Sequence, residues 1–309
     1  MALPVRVIDA HHHYWARPGM DYVVTDLAAD VTTVPQVIAT VYAECDAWYR
    51  PDGPEHLRAV GETEWVATND TALVAGIVGY ADLRAGAHVE EVLSAHVLAG
   101  LGRFCGVRQR AVWDSHPAIR PGLPFTGPGL LLDADFQRGV RVLARMGLSF
   151  DAWVYFPQLP EVAALARAVP EATIVLNHLG GPIVMGPYTD RDLVLAAWRP
   201  LLAELAGCPN VVVKLGGIGM PIYGQDWHKR AQQPAADEVA AVWGEPIRWC
   251  IDAFGPERCM FESNFPVDRL SMSYTTIWQV FDHTSASYDD AERQELFHDT
   301  AQRVYRLQV

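Results

Sequence analysis

Short apolar runs recur along the chain, each followed by a longer amphipathic stretch, and this alternation predicts strands followed by helices. The first run, Val7 to Trp15, reads V-I-D-A-H-H-H-Y-W and sets Asp9, His11 and His13 at every second position. A strand turns alternate side chains to one face, so these three are expected to point together and His12 away. Further strands are expected at Thr40 to Asp46, Val74 to Leu83, Cys105 to Trp113, Leu148 to Tyr155, Thr173 to His178, Val211 to Leu215 and Cys259 to Asn264. Helices are expected between them, from Pro54 to Trp65, Val89 to Leu98, Asp135 to Met146, Pro160 to Val169, Asp190 to Ala206 and after Ala236 to Phe254. Pro54 suits a first helical turn, and Gly147 suits a left-handed helix end. Two helices complete the chain, the last from Asp289 to Leu307.

Three stretches break the pattern. Tyr14 to Pro35 is polar without sustained periodicity and reads as a long loop. Asp114 to Gly129 carries Pro117, Pro121, Pro124 and Pro128, which excludes regular structure, and Ile218 to Ala236 reads as another loop. Eight strands alternating with helices, and no linker, predict one domain over residues 1–309, a parallel (β/α)8 TIM barrel of the α/β class. An open doubly wound sheet is the alternative, but no G-x-G-x-x-G follows a strand and there is no P-loop.

Composition narrows the partners. Half of the 309 residues are hydrophobic and 20% are charged, enough apolar material for a large core. A formal charge of −13 disfavours nucleic acid and anionic membrane, which need a basic surface, and leaves a small molecule as the partner. Five scattered cysteines without C-x-x-C spacing fit a reduced, cytoplasmic protein. The sequence leaves a homo-oligomer open.

In a barrel of this kind the chemistry sits at the C-terminal ends of the strands. The first strand delivers His11 and His13, the second Glu44, the fourth Arg108 and Arg110, the fifth Tyr155, the sixth His178, the seventh Lys214 and the last Glu262 and Asn264. Two convergent imidazoles make half of a divalent-metal site. Arg108 and Arg110 offer forked donors for a substrate carboxylate, or salt bridges at the rim. Lys214 is expected either to pair with Glu262 inside the barrel or to face outward between helices. Tyr223, Trp227 and His228 lie in a long loop and either cover a substrate or merely pack.

The motifs add up to a resemblance. D-x-H-x-H at Asp9 to His13, G-V-R at Gly106 to Arg108, N-H-L-G-G-P at Asn177 to Pro182, V-K-L-G-G at Val213 to Gly217, F-E-S-N-F-P-V-D at Phe261 to Asp268 and A-Q-R-V-Y-R-L near the end occur in this order. Together they resemble the amidohydrolase superfamily, in the branch of sugar lactonases and 2-pyrone-4,6-dicarboxylate lactonase, over nearly the whole chain. The resemblance implies a distorted (β/α)8 barrel that hydrolyses a lactone or, in sister groups, decarboxylates an aromatic acid. His11, His13 and His178 match the family's histidines, and Arg108 its substrate-carboxylate arginine. Asn264 stands where the family usually has Asp within G-S-D-W-P.

An amide cannot take a proton from an attacking water, so the base is sought among Glu44, Glu262, Asp268 and His178, with Glu44 best placed by its parity with Tyr42 and Asp46. Asn264 is left to orient the water, donate to an oxyanion or weakly ligate a metal. The leading expectation is hydrolysis of a carboxylated lactone with His11, His13, His178, Asn264 and Glu44 as catalytic residues. Arg108, Arg110, Tyr155, Tyr223, Trp227 and His228 would bind substrate. A divalent metal, Zn first, would take His11 and His13 with His178 or Glu44; a metal-independent route, with imidazolium groups and Arg108 polarising the carbonyl, stays open. A non-oxidative decarboxylase is the runner-up and a non-catalytic ligand-binding barrel the third reading.

Overall fold

In the computed structural model, which describes every residue except 1, 2, 5, 17, 18, 20, 87 and 120–126, eight strands pair in chain order and all run parallel. The strands are β1 (Val7–His12), β2 (Val37–Ala43), β3 (Val74–Gly79), β4 (Phe104–Arg108), β5 (Ser149–Ala152), β6 (Ile174–Leu176), β7 (Val211–Leu215) and β8 (Cys259–Phe261). Between and after them stand α1 (Val24–Thr32), α2 (Val60–Asn69), α3 (His88–Ala99), α4 (Ala134–Arg145), α5 (Leu159–Ala168), α6 (Arg191–Ala206), α7 (Ala236–Phe254), α8 (Tyr274–Thr284), α9 (Asp290–Gln294) and α10 (Thr300–Tyr305). The barrel closes beyond β8, where Asn264 N donates to His11 O at 2.9 Å and His13 N to Phe265 O at 2.7 Å. The expected single-domain (β/α)8 barrel is the fold observed.

The helix ends follow local chemistry. Asp133 accepts from the backbone of Asp135 and Phe136 and starts α4, and Asp190 does the same for α6; such caps are worth about 1 kcal/mol each. Gly147, at φ +67°, ends α4 as expected. The loop expected over Tyr14 to Pro35 instead contains α1. That helix buries only Leu27 and Val31 on its core side, a single apolar row too sparse to register as a period. Pro54 opens a short 3-10 turn, Glu55–Leu57, and the helix proper begins at Val60. The last expected helix is split into α9 and α10 by a π turn at Glu295–Asp299. In the proline-rich segment, Pro121 and Pro124 lie outside the described residues, and a 3-10 turn forms at Pro117–Ile119.

The barrel floor is apolar. Ala10, Val41, Cys105, Val175, Val212 and Met260 pack inside it, and Tyr305 and Leu307 from the chain's end close it from below. Above that floor the interior becomes polar, with Asp151, Asn177, Lys214 and Glu262 all fully buried. Polar groups at that depth persist only where each meets a partner, so this layer fixes the geometry of what lies above it.

Candidate active site

The mouth of the barrel gathers His11, His13, His178, Arg108 and Glu262. The ring centroids of His11 lie 4.8 Å from His13 and 4.7 Å from His178, both edge-on. Strict alternation along β1 does not produce this. A register shift between Asp9 and His12 lets His11 and His13 face inward, while Asp9, expected beside them, is held by Ser263 N at 2.8 Å and Tyr274 Oη at 2.9 Å. Burial pushes the Asp9 carboxyl up to about 6. His12 points away as expected, with Nε2 2.9 Å from Thr40 Oγ1.

His178 follows β6 in a left-handed backbone at φ 53°. Its Nδ1 lies 2.7 Å from Glu262 Oε1, which also accepts from its backbone nitrogen at 3.3 Å. Trp153 lies edge-on to the ring at 4.8 Å, and Tyr223 Oη donates to the His178 carbonyl at 2.6 Å. The two glycines after β7 make room for this pair. A Cβ on Gly216 would meet Glu262 Cγ and its carbonyl oxygen at 2.3 Å, and one on Gly217, itself at φ +67°, would meet His178 Nδ1 at 2.7 Å. The V-K-L-G-G motif is thus a close-approach requirement.

Arg108 donates through Nε to Glu44 Oε1 at 2.9 Å, and its Nη2 contacts the Glu44 carbonyl. Its Nη1 lies 3.2 Å from His11 Nε2. Arg110 also reaches Glu44, at 3.7 Å, and pairs with Asp46. Glu44 is therefore engaged by two guanidinium groups and does not join the histidines, contrary to the expectation of a base or metal ligand there. Tyr42 points the other way, toward Glu62, because β2 ends at Ala43 and parity lapses beyond it.

Asn264 is placed beside His11 through its backbone, but its side-chain nitrogen donates to Asp268 Oδ1 at 2.8 Å. Asp268 also accepts from Gly219 N at 2.8 Å, and burial pushes its carboxyl up to about 8. The expected Lys214–Glu262 pair does not form. Lys214 donates to Asp151 at 2.7 Å, a β5 partner that the sequence did not single out, and Glu262 serves the histidines instead. Tyr155 and Trp227 are buried and His228 is half-buried; none of the three makes a hydrogen bond or ring contact with His11 or His13 among the described residues.

Burial holds His11 and His13 well below the usual imidazole range, reinforced at His11 by Lys214 and at His13 by Arg108. Burial therefore favours the neutral form of both rings. The mouth is narrow: His13 and Arg108 are each 4% exposed and His178 2%.

The amidohydrolase family model matches residues 8–307. The chain belongs to the amidohydrolase family. Among curated amidohydrolase relatives, an L-fucono-1,5-lactonase of Burkholderia multivorans is 28% identical, over 97% of this chain and 96% of that one. A Sinorhizobium fredii protein is 30% identical over 98% of this chain and 99% of its own length. A Burkholderia multivorans amidohydrolase solved with bound Zn superposes with a TM-score of 0.75 at 27% identity, covering 98% of this chain and 99% of that one.

Among the described residues a group suited to a metal stands at this mouth: His11, His178 and Glu262 each bring one ligand atom within 4.8 Å of the others. The donors fit a divalent ion in kind, being imidazoles and a carboxylate. Glu262 Oε2 is buried without a hydrogen-bond partner among the described residues and lies 3.3 Å from His11 Nδ1. His178 Nδ1 is already paired with Oε1, so His11 and Glu262 are the residues that would hold an ion. No helix among the described residues is long and apolar enough to cross a membrane.

Proposed function

We propose that the protein hydrolyses a lactone of a small carboxylic acid, with sugar-acid lactones as the first candidates, by attack of water on the ring carbonyl. The observation that carries this reading is the Glu262–His178 pair, 2.7 Å apart at the mouth of the barrel and next to His11. A carboxylate accepting from Nδ1–H leaves Nε2 of His178 with its lone pair, the form of a general base. His178 thus supplies the base that Asn264 cannot, and its carboxylate partner Glu262 stands two residues before Asn264. The relatives named as lactonases support the substrate class.

In the first step the water oxygen bonds to the carbonyl carbon and its proton passes to His178 Nε2. The carbonyl electrons move onto the oxygen, which the N–H groups of Arg108 are suited to stabilise. When the tetrahedral species collapses, the ring C–O bond breaks, and the alkoxide takes the proton back from His178. Lactone plus water becomes the open hydroxy acid. Glu262 holds the imidazole throughout and favours its transient positive charge. His11 and His13, kept neutral by burial, orient the carbonyl rather than protonate it. A divalent ion held by His11 and Glu262 would supply polarisation of the carbonyl when bound.

A pH-indicator screen of aldonic-acid lactones, including L-fucono-1,5-lactone, alongside pyrone and muconate lactones tests the reading. Acid release without carbon dioxide is the expected result. Carbon dioxide release from an aromatic acid, with every lactone left intact, would replace it with the lyase.

A further inference from the structure

Beneath the histidines, buried polar groups form a chain from the last helix to His11. Tyr305 Oη donates to Asp151 Oδ2 at 2.8 Å, Asn177 Nδ2 donates to the same oxygen at 3.0 Å, and Lys214 Nζ donates to it at 2.7 Å. The same ammonium reaches His11 Nδ1 at 3.1 Å. Asp151, Asn177, Lys214 and His11 are fully buried, and Tyr305 is nearly so.

The direction of each bond follows from the donor inventory. An ammonium only donates, so the contact with Lys214 makes Nδ1 of His11 the accepting nitrogen and puts the ring's proton on Nε2, where Arg108 Nη1, itself only a donor, lies 3.2 Å away without a hydrogen bond to it. That hydrogen faces His13 Nε2 at 3.2 Å, whose lone pair is available because His13 Nδ1–H donates to Ala43 O at 2.7 Å. Every link from Tyr305 to Ala43 then has one donor and one acceptor.

The same nitrogen is half of the pair a metal would use. Glu262 Oε2 and the Nδ1 lone pair of His11, 3.3 Å apart, both call for a cation, and Lys214 already brings one to Nδ1. We propose that Lys214 is the positioning residue of His11 and competes with a divalent ion for its Nδ1 nitrogen, so that the site's metal affinity is set from the barrel floor by Asp151 and Tyr305. The inference rests on reading His11 as part of the active site, but its test needs no turnover and so fails or succeeds separately from the lactonase reading.

The test is calorimetric titration of the full-length, chelator-stripped protein with Zn²⁺ alone. It is run in a His88→Ala background, which removes the exposed His56–His88–Glu91 group as a rival site. The double change Lys214→Met with Asp151→Asn replaces the ion pair by neutral groups of similar size. It is expected to tighten Zn²⁺ binding by about tenfold or more, and added Glu262→Gln should abolish the gain. Lys214→Arg keeps the charge and should stay within about threefold of the background. Nitrogen-15 NMR of the wild-type protein should report His11 Nδ1 as the unprotonated nitrogen, a result a purely structural lysine would not require. Unchanged or weaker Zn²⁺ binding in the folded double variant overturns the proposal. If that variant does not fold, a protonated His11 Nδ1 in the wild type overturns it instead.

Discussion

Oε1 of Glu262 lies 2.7 Å from Nδ1 of His178 and 3.3 Å from its backbone nitrogen, so one carboxylate oxygen fixes both the ring and the turn that carries it. Glu262→Gln keeps the shape and removes the charge that favours the protonated ring. The expected outcome is a fall in kcat of about 10²- to 10⁴-fold with KM changed only a few-fold. Steady-state hydrolysis, with circular dichroism to establish folding, measures both.

Arg108 grips Glu44 through Nε and Nη2 and turns Nη1 toward His11. A lysine cannot span those three contacts, so Arg108→Lys should lose about 10²- to 10³-fold in kcat/KM despite keeping the charge. Activity within threefold of wild type would mean that the guanidinium is a strut for Glu44 and nothing more.

Stability should fall as pH rises above neutrality. Glu62 is buried near Glu44 and accepts from Tyr42 Oη at 2.7 Å and Cys45 N at 2.8 Å; burial first, then Glu44, raises its proton affinity. Burial does the same to Asp268, up to about 8. A raised carboxyl means that the folded chain holds a proton the unfolded chain has lost, so stability is highest below the unfolded value and declines through the folded one. His11, His12 and His13, pushed down by burial, act in the opposite sense, but only below their unfolded value of 6.5. Above that value the histidines no longer oppose the decline through the carboxyls. Urea midpoints for wild type and Glu62→Gln between pH 6.5 and 8.5 should diverge, with the variant showing the shallower decline. Parallel curves would assign the slope elsewhere.

Gly216 lies so close to Glu262 that an added methyl has nowhere to go. Gly216→Ala should cost about 1 to 3 kcal/mol of stability and, by displacing Glu262, most of the activity. A fully active, equally stable Gly216→Ala would show that β7 can move away from the pair without consequence.

Much of the fold was legible in the residue pattern, because parallel barrel strands are continuous apolar runs and each is bounded by turn or cap residues. The inward histidines were legible too, from parity in His11, His12 and His13. What escaped depends on where parity lapses. The register shift between Asp9 and His12 turns Asp9 away from the site, and β2 ends at Ala43, so Tyr42 and Glu44 part company. The partners of Lys214 and Glu262 were misjudged because each is set by which strand approaches, and the β5 residue Asp151 carried no sequence signal of its own. Gly216 and Gly217 were the available clue, since adjacent glycines after a strand mark a close approach at that level.

In the proposed mechanism His178 takes the proton from water. The most direct measurement is kcat for the best lactone with His178→Ala, alone and with added imidazole. If His178 is the base, turnover drops by about 10²-fold or more and imidazole restores part of it in a concentration-dependent way. Undiminished turnover in the folded variant would contradict the account.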